Sequence, residues 1–226
     1  MVVKQPPVEV AAETQESGPR MTYEEYLKWA NEDLRTEWVN GEVIIQMPLK
    51  PLHQRLSEFL DRILGLFIGV FGLGVLHTAP IEVKLWADGP SREPDLLFVS
   101  NEHLDRLTPE RVVGAPDLVV EIVSDDSVHR DRVDKFDQYE AAGVPEYWII
   151  DNRPDQHRAW FYRLDTNGQY QQVAVGTDGV YRSTVLPGFW LRLDWLWSES
   201  PNELSALAEI IGPEQFAEAL RRASSK

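Results

Sequence analysis

The chain has 226 residues, 43% hydrophobic and 26% charged, a composition that fits one soluble globular domain with a substantial core. It contains no cysteine, which excludes a disulfide scaffold and a thiolate metal site and suits a reducing, cytoplasmic location. The formal net charge of −15 argues against a broad basic surface for nucleic acid, although a bound metal ion with a few basic residues can still form a local phosphate site.

Neither a membrane span nor a secretory signal is expected. The most apolar stretch, residues 63–76, is interrupted by glycines and is too short to cross a bilayer. The first 20 residues lack a long apolar run, and their Pro, Gln, Ser and Glu content is typical of a disordered leader. We therefore expect the folded domain to begin near residue 21.

The first elements of this domain are a short helix, a hairpin and a long helix. Residues 22–25 (TYEE) form a capping box, which predicts a helix start. Asn40-Gly41 is flanked by residues 35–39 and 42–47 and is a strong hairpin signal. Apolar residues then recur at helical spacing, which predicts a helix over residues 52–71 that ends before Gly72.

The next segments are predicted to form the centre of a sheet. Two short strand-like runs surround Ala79-Pro80, and residues 95–99 and 117–123 are aliphatic almost throughout, as in strands that are covered on both faces. A helix over residues 128–142 should end at Gly143, because glycine favours the left-handed conformation after a helix. Residues 146–151 are predicted as another buried strand.

The C-terminal third differs in character. Strands at residues 160–163, 170–175 and 181–183 alternate with turns and predict a β-meander that extends the sheet. Helical residues broken at Gly212-Pro213 form an appendage over 198–226, which either packs on the body or mediates a dimer. The expected fold class is α/β or α+β: a mixed β-sheet core flanked by helices, with residues 21–197 as one domain.

Two carboxylates suggest chemistry. Asp95 begins one predicted central strand and Glu121 ends the next, so both could face one point, as Mg²⁺ or Mn²⁺ requires. Such an ion activates water and neutralises charge on a phosphodiester, and a nearby lysine would orient the water. Asp117 also follows a proline, but it is about 13 Å from Glu121 along an extended strand, so a turn or capping role fits it better.

At these residues the sequence resembles the PD-(D/E)XK nuclease superfamily, and within it a large restriction-endonuclease-like family abundant in cyanobacteria. The resemblance spans residues 22–197 and depends on the order and spacing of several motifs. They are residues 37–42 (EWVNGE), His53, residues 93–99 (EPDLLFV), residues 115–124 (APDLVVEIVS), residues 135–139 (KFDQY), residues 143–148 (GVPEYW) and residues 186–189 (LPGF).

The resemblance implies a restriction-endonuclease-like fold and a metal-dependent DNA endonuclease that acts as a dimer. Asp95 matches the metal-binding aspartate and Glu121 the acidic residue of the (D/E)XK element. Val123 occupies the usual lysine position, and Lys135 matches an alternative lysine on the following helix. Glu37 matches an acidic residue contributed by the N-terminal region, which adds it to the catalytic group.

Simpler interpretations stand beside these. His53 matches a family position and is assigned only to lining the site, and a structural role fits it as well. Lys135 follows a charged segment, residues 129–134, that would equally suit a solvated helix face. Residues 124–127 (SDDS) could bind metal, but capping of the next helix is the preferred interpretation.

Three functions remain open from the sequence. The first is a Mg²⁺-dependent endonuclease that hydrolyses DNA, with Asp95 and Glu121 holding the ion and Lys135 positioning the attacking water. The second is a catalytically silent interaction module that retains the nuclease fold, which the acidic composition favours. The third is a metal-dependent phosphoesterase that acts on RNA or small substrates.

Overall fold

The computed structural model describes residues 17–31, 34–46, 48–124 and 133–223. The α-helices are α1 (Tyr23–Trp29), α2 (Pro51–Phe71), α3 (Lys135–Ala142), α4 (Leu193–Trp197), α5 (Glu203–Ile211) and α6 (Pro213–Ala223). A 3₁₀ helix spans Asn101–Arg106. In the described ranges no helix is both long and apolar enough to cross a membrane.

The strands are short and follow the helices closely along the chain. They are β1 (Ser17–Arg20), β2 (Thr36–Val39), β3 (Glu42–Ile45), β4 (Gly74–Thr78), β5 (Val83–Lys84), β6 (Ser91–Arg92), β7 (Leu96–Ser100), β8 (Val112–Val113), β9 (Leu118–Ile122), β10 (Glu146–Asp151), β11 (Arg158–Leu164), β12 (Tyr170–Gln172), β13 (Val180–Arg182) and β14 (Trp190–Arg192).

The central sheet has six strands in the order β12-β11-β10-β9-β7-β4. Strands β9 and β10 are parallel and are joined through α3, whereas the other neighbours are antiparallel. Both faces of the sheet are covered: Leu118 and Val120 contribute to one hydrophobic cluster, and Val119 and Val123 contribute to the other. The prediction of a mixed sheet with central strands buried on both faces is therefore confirmed.

A second six-stranded sheet, in the order β1-β3-β2-β6-β5-β8, lies in the N-terminal half of the chain and was not predicted. Its first hairpin, β2–β3, turns at Asn40 and Gly41 as expected. Both residues have positive φ values, 51° and 84°, which the tight turn requires and which Asn and Gly tolerate best. The capping box at Thr22 is also present and starts α1.

Three predicted segments differ in detail. Strands β11 and β12 extend the central sheet as expected, but β13 pairs with β14 in a separate two-stranded sheet, so the meander stops one strand early. The last four residues of the expected leader form β1 and pair with β3, and residues 1–16 lie outside the described residues. The predicted helix over 128–142 is described only as α3, since residues 125–132, with the proposed cap at 125–127, also lie outside.

The C-terminal helices adopt the first of the two predicted arrangements. Leu207 of α5 is fully buried in the core cluster that also contains the inner face of α2. Arg62 of α2 and Glu203 of α5 form an ion pair at 2.6 Å on the rim of this contact. Helix α5 therefore packs on the body of the protein, and the homodimer stays a prediction.

Candidate active site

Asp95 and Glu121 lie at the same end of the central sheet. Leu96 of β7 pairs with Val120 of β9 in an antiparallel register, so the preceding residue, Asp95, lies opposite Glu121. Because side chains alternate between the faces of a strand, both carboxylates lie on the face that carries Leu97 and Val119. Directly opposed residues have Cβ atoms about 5 Å apart. The structure thus brings together the two carboxylates that the sequence proposed as a pair.

Asp95 is held in place by polar contacts. Its Oδ2 accepts a hydrogen bond from the backbone N–H of Ile122 at 2.8 Å and contacts Nε2 of His53 at 3.2 Å. Burial raises the pKa of Asp95, but His53, Arg35 and the Ile122 amide together outweigh burial and leave the pKa below its ordinary value. The lowered pKa favours the ionised form of Asp95.

His53 contacts the proposed metal ligand directly. It lies in the first turn of α2, which begins at Pro51, and its imidazole contacts Asp95 just before the first residue of β7. Its other ring nitrogen, Nδ1, is buried and has no hydrogen-bond partner among the described residues. The sequence placed His53 in the lining of the site, and the structure gives it a defined contact there.

Lys135 is the first residue of α3 and is buried beside Glu121. Its Nζ lies 2.8 Å from Oε1 of Glu121 and 3.2 Å from Oε1 of Glu37. One turn later on the same face, the hydroxyl of Tyr139 donates to the same Glu121 oxygen at 2.9 Å. Burial and the neighbouring Glu121 raise the pKa of Tyr139 well above its ordinary value, so this hydroxyl keeps its proton. A solvated helix face is excluded for Lys135.

Glu37 is contributed by β2 of the second sheet and is fully buried. In addition to Lys135, its carboxylate accepts hydrogen bonds from Nη1 of Arg92 at 2.8 Å and from the backbone N–H of Glu93 at 3.2 Å. Glu37 therefore connects the second sheet to Lys135 on α3. The site lies where the two sheets meet.

Three residues of the site were missed in the sequence: Arg35, Arg92 and Glu93. Arg92 is buried between Glu37 and Gln138 of α3, with Nε donating to the Gln138 amide oxygen at 2.7 Å. Nε of Arg35 donates to Glu93 at 2.6 Å. The position of Arg35 could have been inferred in part from the sequence. Arg35 is two residues from Glu37, and side chains at that spacing in an extended chain lie on the same face.

The family of the chain follows from a match over most of its length. The sequence pattern of the Uma2 family, described as "Putative restriction endonuclease", matches residues 23–194. The chain belongs to the Uma2 family. The matched range contains every residue of the site described above and confirms the resemblance to restriction-endonuclease-like proteins.

Solved structures agree with this assignment of the fold. Four known chains match the Uma2 chain, among them one from Anabaena variabilis ATCC 29413 described as a "putative nuclease belonging to DUF820". The two share 17% sequence identity with a TM-score of 0.64, and the match covers 78% of this chain and 97% of the other. None of the curated proteins matches the chain.

The donor set of the Uma2 site suits a hard divalent cation. In the described part of the chain no group of three or more His, Asp or Glu side chains could hold a metal ion by itself. Mg²⁺ does not need such a group, because it usually takes one or two carboxylates together with water and substrate oxygens. The site places four buried carboxylates, Glu37, Glu93, Asp95 and Glu121, beside Arg35, Arg92, Lys135 and His53.

The second Pro-Asp aspartate lies outside the site and connects the start of β9 to the start of the 3₁₀ helix. Asp117 lies at the far end of β9, where it accepts hydrogen bonds from the backbone N–H of Ser100 and from Nδ1 of His103, both at 2.7 Å. We expect Asp117→Asn to lower the free energy of unfolding by about 1–3 kcal/mol, because a charge-assisted contact is weakened. Urea denaturation measures this loss. Mn²⁺ affinity should not change, and a fall in that affinity would contradict the assignment.

Proposed function

We propose that this Uma2 chain is a metal-dependent endonuclease that hydrolyses DNA phosphodiester bonds. The observation that supports this most directly is the position of Lys135, whose ammonium lies 2.8 Å from Glu121 on the strand opposite Asp95. Two acidic metal ligands and one adjacent amine are the parts that hydrolysis of a phosphodiester needs. Family membership adds the restriction-endonuclease assignment.

In this proposal Asp95 and Glu121 bind Mg²⁺ or Mn²⁺. When bound by these residues, the ion would lower the pKa of a water molecule and neutralise charge on the phosphodiester. Lys135 donates a hydrogen bond that orients the attacking water. The water oxygen forms a bond to phosphorus as a phosphorus–oxygen bond of the backbone breaks, and a proton passes from the water to solvent while the leaving oxygen gains one. The products are a phosphomonoester and an alcohol.

The remaining side chains position these groups. His53 and the Ile122 amide fix one oxygen of Asp95 and thereby direct the other oxygen into the site. Tyr139 fixes the Glu121 oxygen that Lys135 also contacts. Glu37 is the second anchor of the Lys135 amine and defines where it lies. Glu37 therefore acts through Lys135 in this proposal.

A cleavage assay tests the proposed reaction. We expect the purified protein to nick or linearise supercoiled plasmid DNA in Mg²⁺ or Mn²⁺, and we expect EDTA to abolish cleavage because the proposed reaction depends on water activated by the ion. Asp95→Asn should remove cleavage and Mn²⁺ binding together, whereas Asp117→Asn should retain both. These two aspartates form a matched pair, since each follows proline and each is 6% exposed. Cleavage that persists in Asp95→Asn would refute the assignment.

The silent interaction module has one structural observation in its favour. All four carboxylates of the site are already paired with protein cations or hydrogen-bond donors and are 0–8% exposed. Under this alternative, calorimetry would detect no Mn²⁺ binding to the wild-type protein. A Mn²⁺ isotherm that disappears in Asp95→Asn would favour the endonuclease, and its absence would favour the module.

A further inference from the structure

Arg35 lies beside Asp95, the proposed metal ligand, and has no role in the reaction described above. Its Nη2 lies 3.5 Å from Oδ1 of Asp95, the carboxylate oxygen that His53 and the Ile122 amide leave to other partners. Its Nε donates to Glu93 at 2.6 Å, which fixes the plane of the guanidinium. Arg35 is thus a resident counter-ion of Asp95.

The third nitrogen of Arg35 lacks an acceptor. Nη1 is buried and has no hydrogen-bond partner within the described ranges. A buried donor without an acceptor costs free energy, so the arrangement favours a ligand that supplies an oxygen there. A guanidinium presents its donors in a rigid planar fork that matches the oxygens of a phosphate group.

A route for such a ligand reaches this residue. A cavity of about 1050 Å³ opens between α1, the second sheet, β4 of the central sheet and the loop before β8, and both Arg35 and Glu93 line it. Lys135, Glu121 and Asp95 are 2–6% exposed, whereas the Arg35 side chain is 20% exposed. Arg35 is therefore the member of the site that bridges the buried carboxylates and the cavity.

A divalent ion and Arg35 compete for the same oxygen. If an ion binds Oδ1 of Asp95, the guanidinium faces a like charge a few ångströms away and loses its weak contact with Asp95. Its bond to Glu93 is independent of Asp95 and still holds the side chain at the cavity wall. The guanidinium then has two donors available for an incoming phosphate.

We infer that Arg35 is the phosphate ligand of the substrate site: it neutralises Asp95 in the metal-free protein and binds a non-bridging phosphate oxygen of DNA once a divalent ion has taken its place. The inference rests on the proposed function, because it requires Asp95 to be a metal ligand. Arg35 would thus bind first the Asp95 carboxylate and then a phosphate oxygen. Removal of Arg35 must therefore affect metal binding and DNA binding in opposite directions.

Calorimetry with Mn²⁺ and fluorescence anisotropy with a labelled DNA duplex in Ca²⁺ measure the two binding steps without turnover. We expect Arg35→Gln to bind Mn²⁺ about tenfold more tightly, because a competing cation is gone. The same variant should bind DNA about tenfold more weakly. The slope of log Kobs against log salt concentration should fall by about one. Arg35→Lys keeps the charge and should retain the slope.

The matched control is Arg111→Gln. Arg111 lines the same cavity, pairs with Glu82 at 3.0 Å and is 24% exposed. The substitution therefore removes the same charge from the cavity at a residue that pairs with Glu82 instead of Asp95. It should leave the Mn²⁺ affinity within about twofold. If Arg35→Gln folds poorly, Arg35→Gln/Glu93→Gln removes the stranded carboxylate and serves in its place.

The possible failures are distinct. The proposed function would be refuted if the wild-type protein binds no Mn²⁺, or if the wild type and Asp95→Asn bind Mn²⁺ with equal affinity. Normal wild-type Mn²⁺ binding combined with weaker or unchanged binding in Arg35→Gln would overturn the Arg35 inference alone. An unchanged DNA affinity and salt slope in Arg35→Gln would overturn it as well.

Discussion

Lys135→Met is expected to reduce kcat for plasmid cleavage by roughly a hundred- to thousandfold, which is the usual cost of removing one donor from a reacting centre. The methionine keeps most of the apolar stem that is buried in α3 but lacks the amine that contacts Glu121 and Glu37. Mn²⁺ binding should persist, because Asp95 and Glu121 remain. Single-turnover cleavage and calorimetry on the same preparation separate these two effects.

A second buried lysine provides the control. Lys84 is 5% exposed and lies 3.5 Å from the ring centroid of Tyr23, in the second sheet and outside the site. Lys84→Met removes an equally enclosed amine and should retain cleavage per folded molecule. Loss of Mn²⁺ binding in Lys135→Met, or an equal loss of kcat in both variants, would show that Lys135 acts through the fold instead of through the water.

Arg92→Met is expected to cause the largest loss of stability, about 3–5 kcal/mol in the free energy of unfolding. Arg92 is 1% exposed, and its partner Glu37 is fully buried at 2.8 Å. Removing the guanidinium leaves the buried Glu37 carboxylate with only part of its compensating charge and hydrogen bonds, which is costly. For a chain of this length the change corresponds to a fall in Tm of roughly 10 °C, measurable by calorimetry.

An exposed ion pair of the same length isolates the effect of burial. Arg182 and Asp178 also lie 2.8 Å apart, but the Arg182 side chain is 64% exposed. Arg182→Met should lower the free energy of unfolding far less than Arg92→Met does, since solvent screens such pairs. The double variant Arg92→Met/Glu37→Gln should be more stable than Arg92→Met alone, because no buried carboxylate is stranded. Equal losses in Arg92→Met and Arg182→Met would contradict this account.

The parts of the site that could be predicted are those that local sequence determines. Asp95 and Glu121 flank aliphatic runs, and the period of a strand fixes which side chains share a face. The hairpin at Asn40-Gly41 and the end of α3 at Gly143 depend on backbone preferences of single residues. The resemblance added Lys135, whose charged surroundings alone did not distinguish a buried amine from a solvated one.

The parts that could not be predicted depend on contacts between distant segments. Arg92 and Glu37 are 55 positions apart, and nothing in either neighbourhood indicates a buried ion pair. Strands β6 and β8 contain only two residues each, too few for a periodic pattern. The run that contains β5 was predicted as a strand, but its pairing in a second sheet was missed. The separation of β13 from the meander likewise depends on its pairing with β14, which follows a loop.

Glu37 and Arg92 reach the site from the second sheet, whereas Glu121 and Asp95 lie at the end of the central sheet, and Lys135 contacts both Glu37 and Glu121. The charged cluster therefore also holds the two sheets together. Selection for a folded chain would maintain these charges even in a relative without nuclease activity. In relatives of this protein, conservation of the site residues would therefore show only that the contact between the two sheets is preserved. Enzymatic activity would have to be shown by a binding or cleavage measurement.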